Sequence, residues 1–231
     1  MRPYVVVNVA MSADGKISTY ERRQVLISGS QDFARVDRLK AESDAVMVGI
    51  GTVLADDPSL TIKSAEHRKF RSDHGQNEHP IRIVVDSLCR ISPDASILNK
   101  GEGQRVIAVS KKADASKISI LEKKSTIIVA GDHEVDLPVL MDELYSMGIH
   151  RIVVEGGGRL IAGLLEGGLV NEIFTYIGNV IIGGKDAPTF SDGRGFTKES
   201  LFPRLSLLEA YRIESGILLH WMVENPLRTI E

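Results

Sequence analysis

Short apolar runs alternate with amphipathic stretches from the N-terminus to about residue 168. The runs predict strands at 4–10, 45–48, 81–85, 106–109, 126–129 and 152–154. Those at 4–10, 45–48, 81–85 and 152–154 should be buried, because they carry almost no polar residues. The stretches between them predict helices at 30–42, 52–56, 113–121, 138–147 and 160–165. In the first of these helices, Phe33, Val36 and Leu39 share one face. The alternation predicts an α/β fold with a mostly parallel sheet flanked by helices.

The pattern changes after residue 168, where strands are predicted at 172–176, 180–182, 205–212 and 217–223 with little helix between them. Ser215 and Gly216 form a turn between the last two strands, so the C-terminal edge should be an antiparallel hairpin. The polar stretch at 63–79 has one large apolar side chain, Phe70, and predicts a surface loop. No linker divides the sequence, which predicts one domain over residues 1–231.

Composition excludes several classes of function. The net charge of −3, with both signs interspersed, gives no basic surface for a nucleic acid. The single cysteine, Cys89, excludes a disulfide framework and a cysteine-rich zinc site, and the histidines at 67, 74 and 79 lack the spacing of metal ligands, so we expect no metal. No apolar stretch is long enough for a signal peptide or a membrane helix, which predicts a cytoplasmic protein without a membrane partner.

Three glycines follow the predicted strand at 152–154. Glu155 stands where this strand should end, and Gly156, Gly157 and Gly158 lead into the next helix. A glycine turn at a helix N-terminus lets a phosphate approach backbone N–H groups, and the helix dipole favours the anion. Tight strand-to-helix turns also use glycine where no ligand binds, so phosphate binding and a packing turn remain alternatives.

Small, hydroxyl and charged residues follow the other predicted strands as well. Ligands of open α/β sheets bind beyond the carboxyl ends of the parallel strands, so we take these residues as site candidates. They are Ala10, Asp14, Gly49, Gly51, Thr52, Asp56, Asp86, Ser87, Ser110 and Lys111. Taken singly, Thr52 and Asp56 are as typical of helix caps, and Asp86 with Ser87 is common turn chemistry.

Absent motifs narrow the chemistry further. The chain has no P-loop, no G-x-S-x-G elbow and no histidine and cysteine pattern of a zinc deaminase. It also lacks G-x-G-x-x-G after the first strand, so a dinucleotide, if one binds, should lie at Gly156 to Gly158.

Five segments in order along the chain resemble the reductase domain of riboflavin biosynthesis, a family with the dihydrofolate reductase-like fold. They are R-P-Y-V-V-V-N-V-A-M-S-A-D-G-K-I-S at 2–18, R-L-K-A-E-S-D-A-V-M-V-G-I-G-T-V-L-A-D-D-P-S-L-T at 38–61, P-I-R-I-V-V-D-S at 80–87, V-V-E-G-G-G-R-L at 153–160 and I-G-G at 182–184. The chain departs from the bacterial fused enzymes at 24–28, where a tryptophan is common near Leu26 and a threonine at Ser28.

The resemblance implies a homodimer that reduces a small pyrimidine ribosyl phosphate with NADPH, or with NADH as the alternative. It places the substrate against Lys40, Leu60, Lys63 and Glu155. The implied cofactor contacts are Ala10, Thr52, Asp56, Ser87, Gly156, Gly157, Gly158, Arg159, Leu160 and the turn on to Gly163, with Gly183 and Gly184. Glu155 and Asp56 are the candidates for a catalytic acid, with a water molecule as the alternative.

Several alternatives stay open at this point. Dihydrofolate reductase shares the fold and the cofactor, although the Glu155 turn and the 49–58 segment favour the riboflavin branch. The pyrimidine ring of the substrate is either diamino or already deaminated. A non-catalytic nucleotide-binding module would keep the glycine turn but oxidise no coenzyme. Lys111 and Lys112 are candidates for a 2′-phosphate contact, with a solvated surface as the alternative.

Overall fold

The structure, a computed structural model, describes residues 1–23 and 25–224. Gln24, the first residue of the departing 24–28 segment, and residues 225–231 lie outside the described part. Residue contacts divide the chain into two compact units. The first contains Met1–Pro3 and Ala34–Val153, and the second contains Tyr4–Phe33 and the chain from Val154 onwards. One domain over residues 1–231 stays a prediction.

Strands and helices alternate along the chain as the pattern predicts. The strands are β1 Tyr4–Met11, β2 Ala45–Gly49, β3 Ile81–Val85, β4 Arg105–Val109, β5 Thr126–Val129, β6 Arg151–Val154, β7 Glu172–Ile177, β8 Arg204–Ile213 and β9 Gly216–Glu224. The helices are α1 Ser30–Ala41, α2 Ile50–Asp56, α3 Ala65–Asp73, α4 Ser96–Asn99, α5 Ala115–Leu121, α6 Leu137–Ser146 and α7 Gly158–Glu166, with a 3₁₀ turn at Glu199–Leu201.

The first unit is built on parallel strands. Its strand order is β5-β4-β3-β2-β6, and β2, β3, β4 and β5 pair in parallel. Most side chains of these strands are apolar, and residues such as Val46, Val84 and Ile107 are fully buried in one core cluster. Apolar surface removed from water in this way is the main stabilising term of such a unit.

The second unit combines one parallel pair with an antiparallel meander. Its strand order is β1-β7-β9-β8, in which β1 and β7 are parallel while β7–β9 and β9–β8 are antiparallel. Tyr176, Ile213 and Leu218 form its core together with Ile27. The predicted α/β fold, with a mostly parallel sheet and an antiparallel C-terminal hairpin, is therefore confirmed.

The predicted loop at 63–79 is wrong, because its centre is the helix α3. Ser64 caps this helix by accepting a hydrogen bond from the His67 N–H. Arg71, only 3% exposed, faces inward and donates to the carbonyl oxygens of Ala41, Ser43 and Asn77. A helix anchored by a buried guanidinium instead of an apolar stripe has no hydrophobic period for a sequence pattern to detect.

The predicted strand at 180–182 is also wrong. The Val180 carbonyl oxygen accepts from the Ala13 N–H, and the Ile182 N–H donates to the Asp14 carboxylate, so this backbone is bonded to a turn instead of to a neighbouring strand. In α1, Phe33 is 53% exposed, whereas Asp37 is buried on that helix.

Two further expectations concern membranes and metals. Within the described residues, no helix combines the length and the apolar character needed to cross a bilayer. In that same part of the chain, His, Cys, Asp and Glu side chains form no group of three or more that could hold a metal ion. The cytoplasmic location stays a prediction.

Candidate active site

The turn between β6 and α7 has the predicted geometry of strand, glycines and helix. Gly156 and Gly157 have φ values of 131° and 85°, a region that side chains other than glycine rarely adopt. Gly157 is the N-cap of α7 and contributes no side-chain cap to it. Because the first N–H groups of a helix have no partner within the helix, this end of α7 suits an anion.

Gly158 is required for a different reason, which is packing. A Cβ atom there would lie 2.7 Å from the Thr189 carbonyl oxygen and 3.0 Å from Oδ2 of Asp192. The Asp192 N–H donates to the Gly158 carbonyl oxygen at 3.0 Å, and the Asp192 carboxylate accepts from the Thr189 N–H and hydroxyl. Gly156 and Gly157 are thus required by their backbone conformation and Gly158 by close packing, while phosphate binding at this turn stays a prediction.

Asp14 ties the turn after β1 to the segment that holds Gly183 and Gly184. Its carboxylate accepts from the Ser12 hydroxyl at 2.6 Å and from the N–H groups of Ile182 and Gly183 at 3.0 and 2.7 Å. These hydrogen bonds, the one from Ser12 first, lower the pKa of Asp14 to about 2. Gly183 and Gly184 both have positive φ values, of 70° and 87°. The sequence alone assigned Asp14 no contact.

In the first unit, Thr52 and Asp56 both lie on α2. Gly49 is the N-cap of this helix and Asp57 its C-cap, so Thr52 and Asp56 cap neither end and the cap interpretation is wrong for both. Asp57 caps the helix through its backbone, which has a φ of 41° and whose N–H donates to the Val53 carbonyl oxygen. Its carboxylate accepts from the Ser96 N–H and hydroxyl, both at 2.7 Å. Surrounding protein desolvates the carboxyl group of Asp56 and raises its pKa, although the residue as a whole remains exposed.

The chain after α2 carries Leu60 and Lys63. Leu60 has a φ of 53° and is 6% exposed, because its side chain packs in the core of the first unit. Only the backbone of Leu60 is therefore left for the predicted substrate contact. The ammonium of Lys63 donates to the hydroxyls of Ser59 and Thr61 at 3.0 and 2.9 Å, which holds a long side chain in one conformation.

Lys40 and Lys63 are connected by a buried carboxylate on α1. Lys40 is half-buried in the last turn of this helix. Asp37, one turn earlier, accepts from the Lys63 N–H at 2.7 Å, and Lys40 contributes to lowering the pKa of Asp37. The sequence pattern does not predict Asp37 as a site residue, because a single aspartate on a helix has no distinguishing spacing.

Asp86 and Ser87 shape the loop after β3. Asp86 is fully buried, which raises the pKa of its carboxyl group, and it accepts from the Ile91 N–H at 2.8 Å. The Ser87 hydroxyl accepts from the Val135 N–H at 3.0 Å and keeps its own hydrogen to donate. Lys111, considered for a 2′-phosphate, forms an exposed ion pair with Asp132 at 2.8 Å.

The predicted site residues fall into two groups, one in each unit. The first unit holds Lys40, Thr52, Asp56, Leu60, Lys63 and Ser87. The second unit holds Ala10, Glu155, Gly156, Gly157, Gly158, Arg159, Leu160, Gly183 and Gly184. Ala10 lies near the end of β1 opposite Tyr176, and Leu160 is buried in the first turn of α7.

Relatives of known name share most of the chain. A protein of Archaeoglobus fulgidus named 2,5-diamino-6-ribosylamino-4(3H)-pyrimidinone 5′-phosphate reductase is 51% identical over 86% of this chain and 90% of its own length. A protein of the same name from Methanothermobacter thermautotrophicus is 42% identical over 97% of this chain and all of its own length.

Two solved structures have a similar fold, and the model of a protein family matches most of the chain. A pyrimidine reductase-like protein of Corynebacterium diphtheriae superposes with a TM-score of 0.82 at 17% identity, over 96% of this chain and 92% of that one. A riboflavin biosynthesis reductase of Saccharomyces cerevisiae gives 0.70 at 19%, over 96% and 90%. At such identities the likeness concerns the fold, which is dihydrofolate reductase-like. The model of the RibD C-terminal domain matches residues 3–219, and the chain belongs to that family.

Proposed function

We propose that the chain reduces the ribosylamino side chain of 2,5-diamino-6-ribosylamino-4(3H)-pyrimidinone 5′-phosphate to the ribitylamino form, a step of riboflavin biosynthesis. The observation that carries the proposal is the 42% identity across 97% of the chain to a protein named for this reaction. The match to the family model, over residues 3–219, includes both groups of predicted site residues. A non-catalytic module has no observation in its favour.

The β6–α7 turn fits the diphosphate of a nicotinamide coenzyme. The positive φ values favour glycine at 156 and 157, which leaves this surface without side chains, and Gly157 provides no side-chain cap to the N-terminal N–H groups of α7. Such a coenzyme, when bound, supplies a hydride to the substrate. We propose NADPH as the donor and NADH as the alternative. Arg159, exposed in the first turn of α7, adds a positive charge beside the turn.

The residues of the first unit have the chemistry to bind the substrate. Lys40 and Lys63 provide ammonium groups for its 5′-phosphate, and a lysine binds phosphate as a point charge. Lys63 is already held by two hydroxyls, so less conformational freedom is lost on binding. The backbone of Leu60 is the proposed contact of this unit to the rest of the substrate. Glu155, which belongs to the second unit, stays a predicted substrate contact.

The reaction also needs a proton. The ribose ring must open so that C1′ becomes an imine carbon, and the departing ring oxygen takes up a proton as it does so. A raised pKa favours the protonated form of a carboxyl group, and burial shifts the pKa of Asp56 in this direction. We propose Asp56 as the first candidate for this acid, with Glu155 as the second.

The decisive experiment follows the loss of absorbance of reduced nicotinamide. Purified protein is incubated with NADPH and, in parallel, with the diamino substrate, its deaminated counterpart or dihydrofolate. We expect the highest kcat/KM with the diamino compound, and a lower KM for NADPH than for NADH. Preference for dihydrofolate, or no oxidation with either pyrimidine, would overturn the proposal.

We also propose that the chain forms a homodimer. Exposed leucines lie along β8, the last strand in the order of the second unit: Leu205, Leu207 and Leu208. Leu207 stands opposite Trp221 of β9, and Leu205 and Trp221 line an apolar cavity of about 230 Å³. Leu205 and Leu207, two residues apart, share one face of the strand, and exposed apolar side chains grouped in this way are typical of a surface that a partner covers. A second copy of the chain is the occupant that we propose.

A further inference from the structure

We infer that Asp37 is a positioning residue for the substrate phosphate, because its carboxylate fixes the Lys63 segment to α1. This inference rests on the proposed function, in which Lys40 and Lys63 contact the phosphate. Asp37 itself does not contact the substrate in this proposal; it acts through Lys63. Nothing in the sequence pattern distinguishes Asp37 from other helical aspartates.

The geometry of Asp37 is that of a buried hub. The residue is 7% exposed, and its Oδ1 accepts from the Lys63 N–H at 2.7 Å. Its Oδ2 accepts from the Ser64 N–H at 2.9 Å and lies 3.1 Å from Nδ1 of His67. The two oxygens thus contact three residues at the start of α3: Lys63 before the N-cap, the N-cap Ser64, and His67 in the first turn. A carboxylate is an acceptor only, so it satisfies these donors without a competing hydrogen.

The charge of Asp37 is maintained despite its burial. Burial on its own raises the pKa of a carboxyl group, but the N–H groups of Lys63 and Ser64, the His67 side chain and the nearby Lys40 lower it. The net pKa of Asp37 lies below its ordinary value, so the group is ionised at neutral pH. Hydrogen bonds to an ionised acceptor are stronger than neutral ones, which makes this attachment of Lys63 firm.

Lys63 is held at three points, and Asp37 supplies one of them. The Lys63 carbonyl oxygen accepts from the guanidinium of Arg68 at 2.7 Å, and the Lys63 ammonium donates to Ser59 and Thr61. Backbone and side chain are therefore both fixed before substrate arrives. A cation held in place in advance binds an anion more tightly than a mobile one, because less freedom is lost on binding.

Asp44 offers a matched control. Its carboxylate also accepts from two backbone N–H groups, those of His150 and Arg151, both at 2.8 Å. It precedes β2, whereas Thr52 and Asp56 follow that strand, and it belongs to neither group of proposed site residues. Asp44→Asn therefore removes a comparable structural carboxylate without touching the Lys63 segment.

The test compares the phosphorylated substrate with the same ribosylaminopyrimidine without its 5′-phosphate. We expect Asp37→Asn to raise KM for the phosphorylated compound about tenfold, the scale of one weakened charge-assisted contact. Its KM for NADPH and its KM for the unphosphorylated compound should stay within about twofold of wild type. Asp44→Asn should change none of the three KM values. In Lys63→Ala, the further change Asp37→Asn should add little.

A second variant covers the case in which Asp37→Asn does not fold. Arg68→Met removes the anchor on the Lys63 carbonyl oxygen from a partly exposed side chain, and it should raise the same KM selectively. If Asp37→Asn, or Arg68→Met in its place, raises the KM values for both compounds equally or raises neither, the inference is overturned while the reductase activity stands. If wild type reduces neither compound, the proposed function fails, and the inference fails with it.

Discussion

Gly158 has a packing requirement that its neighbours in the turn do not share. Gly156 and Gly157 are needed for their positive φ, whereas at Gly158 the backbone of Thr189 fills the space where a side chain would begin. The segment carrying Thr189 and Asp192 is thereby pressed against the first residue of α7. Any change at Gly158 should displace the helix terminus that we propose for the coenzyme diphosphate.

We predict that Gly158→Ala weakens both folding and coenzyme binding. A Cβ atom 2.7 Å from a backbone oxygen forces a shift, and such overpacking costs roughly 1–3 kcal/mol in the free energy of unfolding. Urea denaturation and the KM for NADPH measure the two effects. Gly51→Ala in α2 is the stability control, because a Cβ there meets nothing within 4 Å and alanine favours a helix. A Gly158→Ala protein as stable as Gly51→Ala would contradict this explanation.

Single residues of the site differ in how far the sequence could identify them. Thr52, Asp56 and the glycines follow predicted strands, and the family segments contain them. The carboxylates of Asp37 and Asp14 act through hydrogen bonds from backbone N–H groups that are distant in sequence, those of Lys63 and Gly183. No local pattern encodes such a pairing, so these partners emerge only from the structure.

At the scale of elements, α3 shows how a helix is kept in place without an apolar stripe. The guanidinium of Arg71 donates to the carbonyl oxygens of Ala41, the last residue of α1, of Ser43 just beyond it, and of Asn77 beyond the end of α3. Burial lowers the pKa of Arg71, but arginine remains charged at any physiological pH. A buried cation surrounded by carbonyl oxygens replaces the hydrophobic contacts that usually fix a surface helix.

We predict that Arg71→Met destabilises the protein by at least about 2 kcal/mol, since a buried carbonyl without its donor costs roughly 1–3 kcal/mol. Methionine preserves the apolar stem of the side chain and removes only the donors. Lys69→Ala on the same helix is the control, because its ion pair with Asp73 is exposed and should contribute less than about 0.5 kcal/mol. Chemical denaturation of both variants distinguishes them, and equal stabilities would refute the anchoring function of Arg71.

The turn at 12–16 and the segment at 180–189 are also held together by charged side chains that bond to backbone groups. Asp14 bonds to Ile182 and Gly183, and the Lys16 ammonium donates to the Ala187 carbonyl oxygen at 3.1 Å. These contacts also explain why an apolar stretch with strand-like composition at 180–182 forms no strand. Its polar backbone groups already have partners in the turn.

We predict that Asp14 makes stability depend on acid pH. Its pKa is about 2 in the folded protein and near 3.8 when unfolded, so its stabilising contribution is complete above pH 4 and disappears as the pH falls towards 2. Asp14→Asn should be less stable than wild type at pH 6, and the difference should shrink between pH 4 and 2. Urea denaturation across this range measures it; a difference that is the same at pH 6 and pH 2.5 would rule out the charge of Asp14 as the cause.

At the scale of the whole molecule, apolar alternation was sufficient to predict the fold class and the C-terminal hairpin. It did not predict that β1 belongs to the same unit as β7, with Val6 opposite Glu172. Parallel pairing between residues so far apart leaves no local signal, whereas the β8–β9 hairpin has its turn residues beside it. The folded chain as a whole likewise determines which apolar side chains stay outside the core.

The exposed leucines of β8 lead to the last prediction, which concerns assembly. Leu207 is 52% exposed on a strand whose neighbouring side chains Leu205 and Leu208 are also exposed, and the same patch on a second copy could cover it around a twofold axis. Leu207→Arg places a charge in this face and should convert the dimer to a monomer at micromolar concentration. Ile120→Arg on α5, where the side chain is 49% exposed, should leave the dimer intact. Sedimentation equilibrium measures both, and a Leu207→Arg protein that dimerises like wild type would show that β8 is not the interface.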